Sequence, residues 1–193
     1  MAAVVVASNI LVQHLLGDWL TWGALTYPLA FLVTDIMNRV YGPAVARKVV
    51  FAGFLTGVAC SIIAAGLDKT TLRIAVASGA AFLSAQLLDI TVFNRLRGIN
   101  WWLPPLAATV LGSILDTVVF FFIAFAPALT GIFPHDDIAW ANEAVPLLGV
   151  GPVQPLWVSL AVADWSVKMA QAILALIPFR IIVGNLIERR TQI

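Results

Sequence analysis

Four aspartates and one lysine stand where the surrounding sequence is otherwise apolar. Asp35, Asp89, Asp116, Asp164 and Lys168 are each embedded in long runs of Ala, Val, Ile, Leu and Phe. A charge in the middle of a membrane-crossing helix costs about 2.5–3.5 kcal/mol on insertion scales. Five such positions in so small a chain require an interior that uses them. Helical spacing organises them, because residues three and four apart share a face. One stripe reads Tyr27, Phe31, Asp35, Asn38; a second Phe82, Gln86, Asp89, Phe93; a third Thr109, Ser113, Asp116, Phe120; and the last Trp157, Ala161, Asp164, Lys168, Gln171. Each stripe combines an acid, an uncharged polar group and an aromatic ring.

That combination suits a planar heteroaromatic solute, with rings stacked on its faces and carboxylate or amide acceptors meeting its N–H edge. A guanine-like edge fits well. Four acids against one lysine leave a formal −3, to be met by protonation, bound cations or donor-rich ligand groups. The binding candidates are therefore Asp35, Asn38, Gln86, Asp89 and Asp116, the rings Phe31, Phe93 and Trp157, and the pair Asp164 and Lys168. Structural roles compete with these. Asp164 and Lys168, at i and i+4, can neutralise one another and lock their helix in place, and Asn38 and Gln86 can serve as interhelical hydrogen-bond glue. Alternatively Lys168, roughly 24 Å below Pro152 along a helix, reaches the level of Asp35 and Asp89 and balances them.

The elements that must position these groups follow from composition. The 193 residues are 61% hydrophobic and 11% charged, with a mean hydropathy of +0.97, whereas soluble domains carry about 25% charged residues. About 20 residues cross a bilayer as a helix. Six segments qualify, at about 1–17, 23–41, 44–66, 72–96, 102–126 and 154–187, giving an all-α integral membrane protein of a single transmembrane domain. The last segment is long enough to extend past the bilayer or to bend near Pro178. Arg39, Arg47, Lys48, Arg95, Arg97, Arg180, Arg189 and Arg190 gather on one side; only Lys69 and Arg73 join Asp18, Asp68, Asp136, Asp137 and Glu143 on the other. Basic residues mark the cytoplasmic side, so both termini are expected there. The long outer connection, Pro127 to Pro152, reads either as a solvated loop with a short interfacial helix or as a lid.

Several classes are excluded or weakened. The single Cys60 rules out an intramolecular disulfide, and the formal charge of +1 argues against nucleic acid as a partner. Residues 1–16 lack the basic flank and cleavage site of a secretory signal and read as a retained helix. No Gly-x-Ser-x-Gly, His-Glu-x-x-His or phosphate-cradling glycine loop is present; no enzyme activity, cofactor or metal is expected, and His14 reads as a packed or interfacial residue. Asn38-Arg39-Val40-Tyr41-Gly42 is echoed by Asn94-Arg95-Leu96-Arg97-Gly98, which either marks helix stops or an old duplication. Ala3 to Ala7 forms a small-xxx-small pattern able to dock a partner helix, as a solute-binding subunit of an ATP-driven vitamin or nucleobase uptake system would need.

The stretch Tyr27-Pro28-Leu29-Ala30-Phe31-Leu32-Val33-Thr34-Asp35-Ile36-Met37-Asn38-Arg39-Val40-Tyr41-Gly42, followed by Arg47-Lys48, resembles the signature of the queuosine-precursor transporters. Gln86-Leu87-Leu88-Asp89, Gly112-Ser113-Ile114-Leu115-Asp116-Thr117 and Asp164-Trp165-Ser166-Val167-Lys168 extend the resemblance over nearly the whole chain. It implies a bacterial inner-membrane importer of 7-deazaguanine bases such as preQ0 and preQ1, used in tRNA queuosine modification. It also implies a six-helix arrangement shared with the solute-binding subunits of energy-coupling-factor transporters. The expected partners are then a small nucleobase-like solute and membrane lipid, and a homo-oligomer is compatible with the sequence.

Overall fold

The computed structural model describes residues 1–11, 14–16, 20–67 and 69–191. Its helices are α1 (Ala2–Leu11), α2 (Trp22–Thr26), α3 (Leu29–Tyr41), α4 (Pro43–Gly66), α5 (Leu72–Leu96), α6 (Leu103–Phe125) and α7 (Leu156–Thr191). Two small antiparallel hairpins join them: β1 (Leu15–Leu16) with β2 (Leu20–Thr21), and β3 (Ala144–Pro146) with β4 (Val153–Pro155). Asp18 and Asp68 lie outside the described residues, as do the side chains of Arg189 and Arg190.

Helices α4, α5, α6 and α7 are long and apolar enough to cross a membrane. Their exposed faces carry Leu55, Ile62, Ile63, Ile173, Leu174 and Ile177, each more than half exposed, a surface that water does not tolerate and lipid does. Helix α4 buries least of the four and α5 most. Accordingly α5 packs on α3, α4 and α6, and α7 closes against α3 and α6.

The first two expected segments differ from the structure. In the described residues α1 ends at Leu11, and 10 residues at about 1.5 Å each fall short of a roughly 30 Å hydrocarbon core. The segment expected as one helix over 23–41 is broken at Tyr27–Pro28. Pro28 has no N–H to give the preceding turn, and its ring opposes the carbonyl four residues back. The break turns Tyr27 inward. By contrast, α7 continues through Pro178. The tight passage from α3 to α4 is made at Gly42, with φ of +87°, where a side chain would be strained.

Charges at the two ends tie helices together. Arg73, expected among the outer loop charges, is fully buried. Its Nε donates to the Ile123 carbonyl at 2.7 Å and its Nη2 to that of Ala126 at 2.6 Å, so a cation caps the C-terminal carbonyls of α6. At the opposite end the two echoed sequences meet. Arg39 donates to the Arg97 carbonyl at 3.0 Å, and Arg97 Nη2 donates to Asn38 Oδ1 at 2.8 Å and to the Asn38 carbonyl. The connection 127–152 forms short 3-10 helices and β3, which pairs with β4 just beyond it, with Trp140 set edge-on against Phe125.

Candidate functional site

The stripes on α3, α5 and α6 converge on a buried polar cluster. Asp35 is 2% exposed; Gln86 and Asp89 are 0% exposed. Thr109 Oγ1 donates to Asp35 Oδ2 at 3.2 Å, and Thr34 Oγ1 to Gln86 Oε1 at 2.5 Å. Among the described residues no basic side chain forms an ion pair with Asp35 or Asp89, and the two acids belong to one cluster drawn from α3, α5 and α6. Close approach of α5 and α6 makes this possible. A Cβ at Gly112 would stand 2.7 Å from the Phe31 ring, 3.3 Å from the Ala85 carbonyl and 3.5 Å from Asp89 Cβ.

Protein groups leave much of this cluster unsatisfied. Asp35 Oδ1, both oxygens of Asp89, Gln86 Nε2 and Ser113 Oγ are buried without a hydrogen-bond partner. Folded proteins pair nearly all such groups, since an unmet buried polar atom costs about 1–3 kcal/mol. Three acceptors and one amide donor are thus held ready in a site enclosed by helices. Beside them, a groove of about 210 Å³ between α3, α6 and α7 is lined by Phe31, Asp35, Thr109, Gln171 and Phe179.

A second cluster lies farther along α6. Asp116 stands two turns from Thr109, about 10 Å along the axis. Lys168 Nζ donates to Asp116 Oδ2 at 2.6 Å, to Asp164 Oδ2 at 2.5 Å and to Thr117 Oγ1 at 3.2 Å. Tyr27 donates to the other Asp116 oxygen at 2.9 Å, and Thr117 to Asp164 at 3.1 Å. The three ammonium hydrogens are all used. Lys168 therefore serves neither Asp164 alone nor the acids of α3 and α5. It joins α7 to α6 through Asp116, and leaves the Asp35–Asp89 pair without a cation among the described residues.

The remaining candidates separate. Asn38 donates to the Ile90 carbonyl at 3.2 Å and accepts from Arg97, so the protein itself occupies its amide. Phe93 packs edge-on against Phe179 at a centroid distance of 6.2 Å, behind a ring that lines the groove, and does not line it itself. Trp157 packs with Phe121 and Phe125 near the 127–152 connection, and its buried Nε1 is unpartnered. Thr34, Thr117, Arg73 and the Arg97 clasp escape sequence reasoning. Thr34 shares a face with Phe31 and Asn38, a usable signal, whereas hydropathy gives no hint that Arg73 turns inward.

The profile of the family described as "Putative vitamin uptake transporter" matches residues 21–183. The chain belongs to this family. It is 32% identical over 97% of its length to the queuosine precursor transporter of Escherichia coli (strain K12), covering 84% of that protein. It is 33% identical over 89% of its length to a "probable queuosine precursor transporter" of Haemophilus influenzae (strain ATCC 51907 / DSM 11121 / KW20 / Rd), covering 72% of it. A protein of the same printed name in Bacillus subtilis (strain 168) is 27% identical over 84% of this chain. No solved structure matches. As a member of the vitamin uptake transporter family with four helices of spanning length, the chain is a multi-pass membrane protein. Both polar clusters fall inside the matched region.

Proposed function

We propose that the chain imports queuosine precursors, 7-deazaguanine bases such as preQ0 and preQ1, across a bacterial inner membrane, with both termini cytoplasmic and the chain before Pro43 supplying two crossings beside the four long helices. The observation that carries this reading is the set of unsatisfied groups at Asp35, Asp89 and Gln86. A guanine-like edge presents adjacent N–H donors and one carbonyl; carboxylate acceptors answer the donors and Gln86 Nε2 answers the carbonyl. Phe31 supplies a ring at the same level. The Lys168 cluster, whose donors the protein already fills, is assigned to holding α6 and α7 in register. Relatives named as queuosine precursor transporters support the substrate class.

The test is uptake of labelled preQ0 by cells that cannot make it. Cells carrying the chain should accumulate label and modified tRNA, and cells carrying Asp89→Ala should not. Expression without any ATP-driven partner module separates an autonomous importer from a binding subunit. Absence of uptake by the wild-type chain would point to another solute.

A further inference from the structure

At the end of the bundle where α3 stops and α6 begins, a pocket of about 250 Å³ is lined by Arg39, Trp101, Phe179, Arg180, Val183 and Gly184. The Arg180 guanidinium lies over the Trp101 ring at 4.5 Å, a cation–π contact that uses none of its N–H groups and leaves them to pair with an anion. Arg39 reaches the pocket from α3, spending one N–H on the Arg97 carbonyl. Among the described residues no carboxylate lies within ion-pairing distance of Arg39, Arg97 or Arg180. Burial, then the facing Arg39, pushes the Arg97 guanidinium below its ordinary range. Positive charge is concentrated here without a counter-charge from the protein.

We propose that this pocket binds the phosphate headgroup of an anionic membrane lipid. The level is right for a headgroup: Arg180 lies 24 residues past Leu156 on one continuous helix, about 36 Å along its axis, just beyond a hydrocarbon core of about 30 Å. Trp101 and Trp102, both partly exposed, mark the same interface, where tryptophan concentrates. The floor of Phe179 and Val183 is apolar. Ile177 and Ile173, one and two turns back toward the bilayer centre on the face of Arg180, are 64% and 62% exposed and offer a track for an acyl chain. Two arginines above an apolar track between membrane helices match an anionic phospholipid better than a free anion, which has no use for the track.

The experiment is native mass spectrometry of the full chain released from nanodiscs holding equal phosphatidylglycerol and phosphatidylcholine. The wild-type protein should retain phosphatidylglycerol at least five-fold over phosphatidylcholine. Arg180→Gln, which loses no hydrogen bond to protein, should lower that preference about five-fold, the usual worth of one interfacial arginine, and Arg180→Lys should keep most of it. Equal retention of both lipids by the wild-type protein, needing no variant, would overturn the proposal. So would an unchanged preference in Arg180→Gln, or displacement of the lipid by millimolar glycerol 3-phosphate, which would mark a site for soluble phosphates.

Discussion

Lys168 Nζ lies 2.6 Å from Asp116 Oδ2, a contact between α7 and α6 that turns an i, i+4 pair with Asp164 into a three-residue network. Exchanging Asp164 and Lys168 keeps their local neutrality but sets an aspartate beside Asp116. The swapped protein should insert into the membrane and fail to transport. Uptake at the wild-type rate would show that the local pair is all that matters. Lys168→Ala strands the buried Asp116 and the partly buried Asp164, at about 3–5 kcal/mol, and should fail whatever the network does.

Tyr27→Phe removes the hydroxyl that meets the second Asp116 oxygen while keeping the ring. A hydrogen bond to a charged group contributes about 1.5–3 kcal/mol. Thermal unfolding in detergent should shift down by several degrees. An unshifted midpoint would mean that Tyr27 contributes only its ring.

Gly112→Ala places a methyl 2.7 Å from Phe31 between two closely packed helices. Overpacking of this kind costs about 1–3 kcal/mol, and here it also pushes Phe31 or Asp89 from its place. Uptake should fall at least ten-fold with membrane yield reduced less. Wild-type uptake would show that the two helices can separate without harm to the site.

Arg73→Ala leaves the carbonyls of Ile123 and Ala126 without their donors and opens a cavity at a fully buried position. The variant should not accumulate as a monodisperse protein. Arg73→Lys should recover part of the yield, because a lysine can reach one carbonyl but not span two in a planar fork. Normal yield of the alanine variant would contradict a capping role.

Much of the architecture is legible in the amino-acid sequence. The four long helices fall within a few residues of the hydropathic segments, since a chain free to bury apolar surface in lipid declares it as an uninterrupted run. The acids fall on shared faces because a 3.6-residue period is a local property. What depends on a neighbour in space is not legible. Whether Lys168 turns to Asp116 or to the Asp35–Asp89 pair is decided by how α6 and α7 pack. Arg73 reads as a loop charge until the end of α6 is seen beside it. Asn38 reads in the sequence either as a ligand-binding amide or as interhelical glue, and only the packing brings Arg97 and the Ile90 carbonyl to it. Pro28 signals a break, but that the break aims Tyr27 at Asp116 depends on where α6 lies.

The most direct measurement is equilibrium binding of preQ0 to the purified protein, comparing wild type with Asp89→Asn and Asn38→Ala. Asp89 has two free acceptors, and the near-isosteric amide replaces one of them with a donor, so binding should weaken by roughly 5- to 150-fold, the equivalent of about 1–3 kcal/mol. Asn38→Ala should lose thermal stability while its folded fraction binds within a few-fold of wild type. Wild-type affinity in Asp89→Asn, with Asn38→Ala as the variant that loses binding, would contradict the assignment of the unsatisfied Asp35–Asp89–Gln86 cluster as the substrate site.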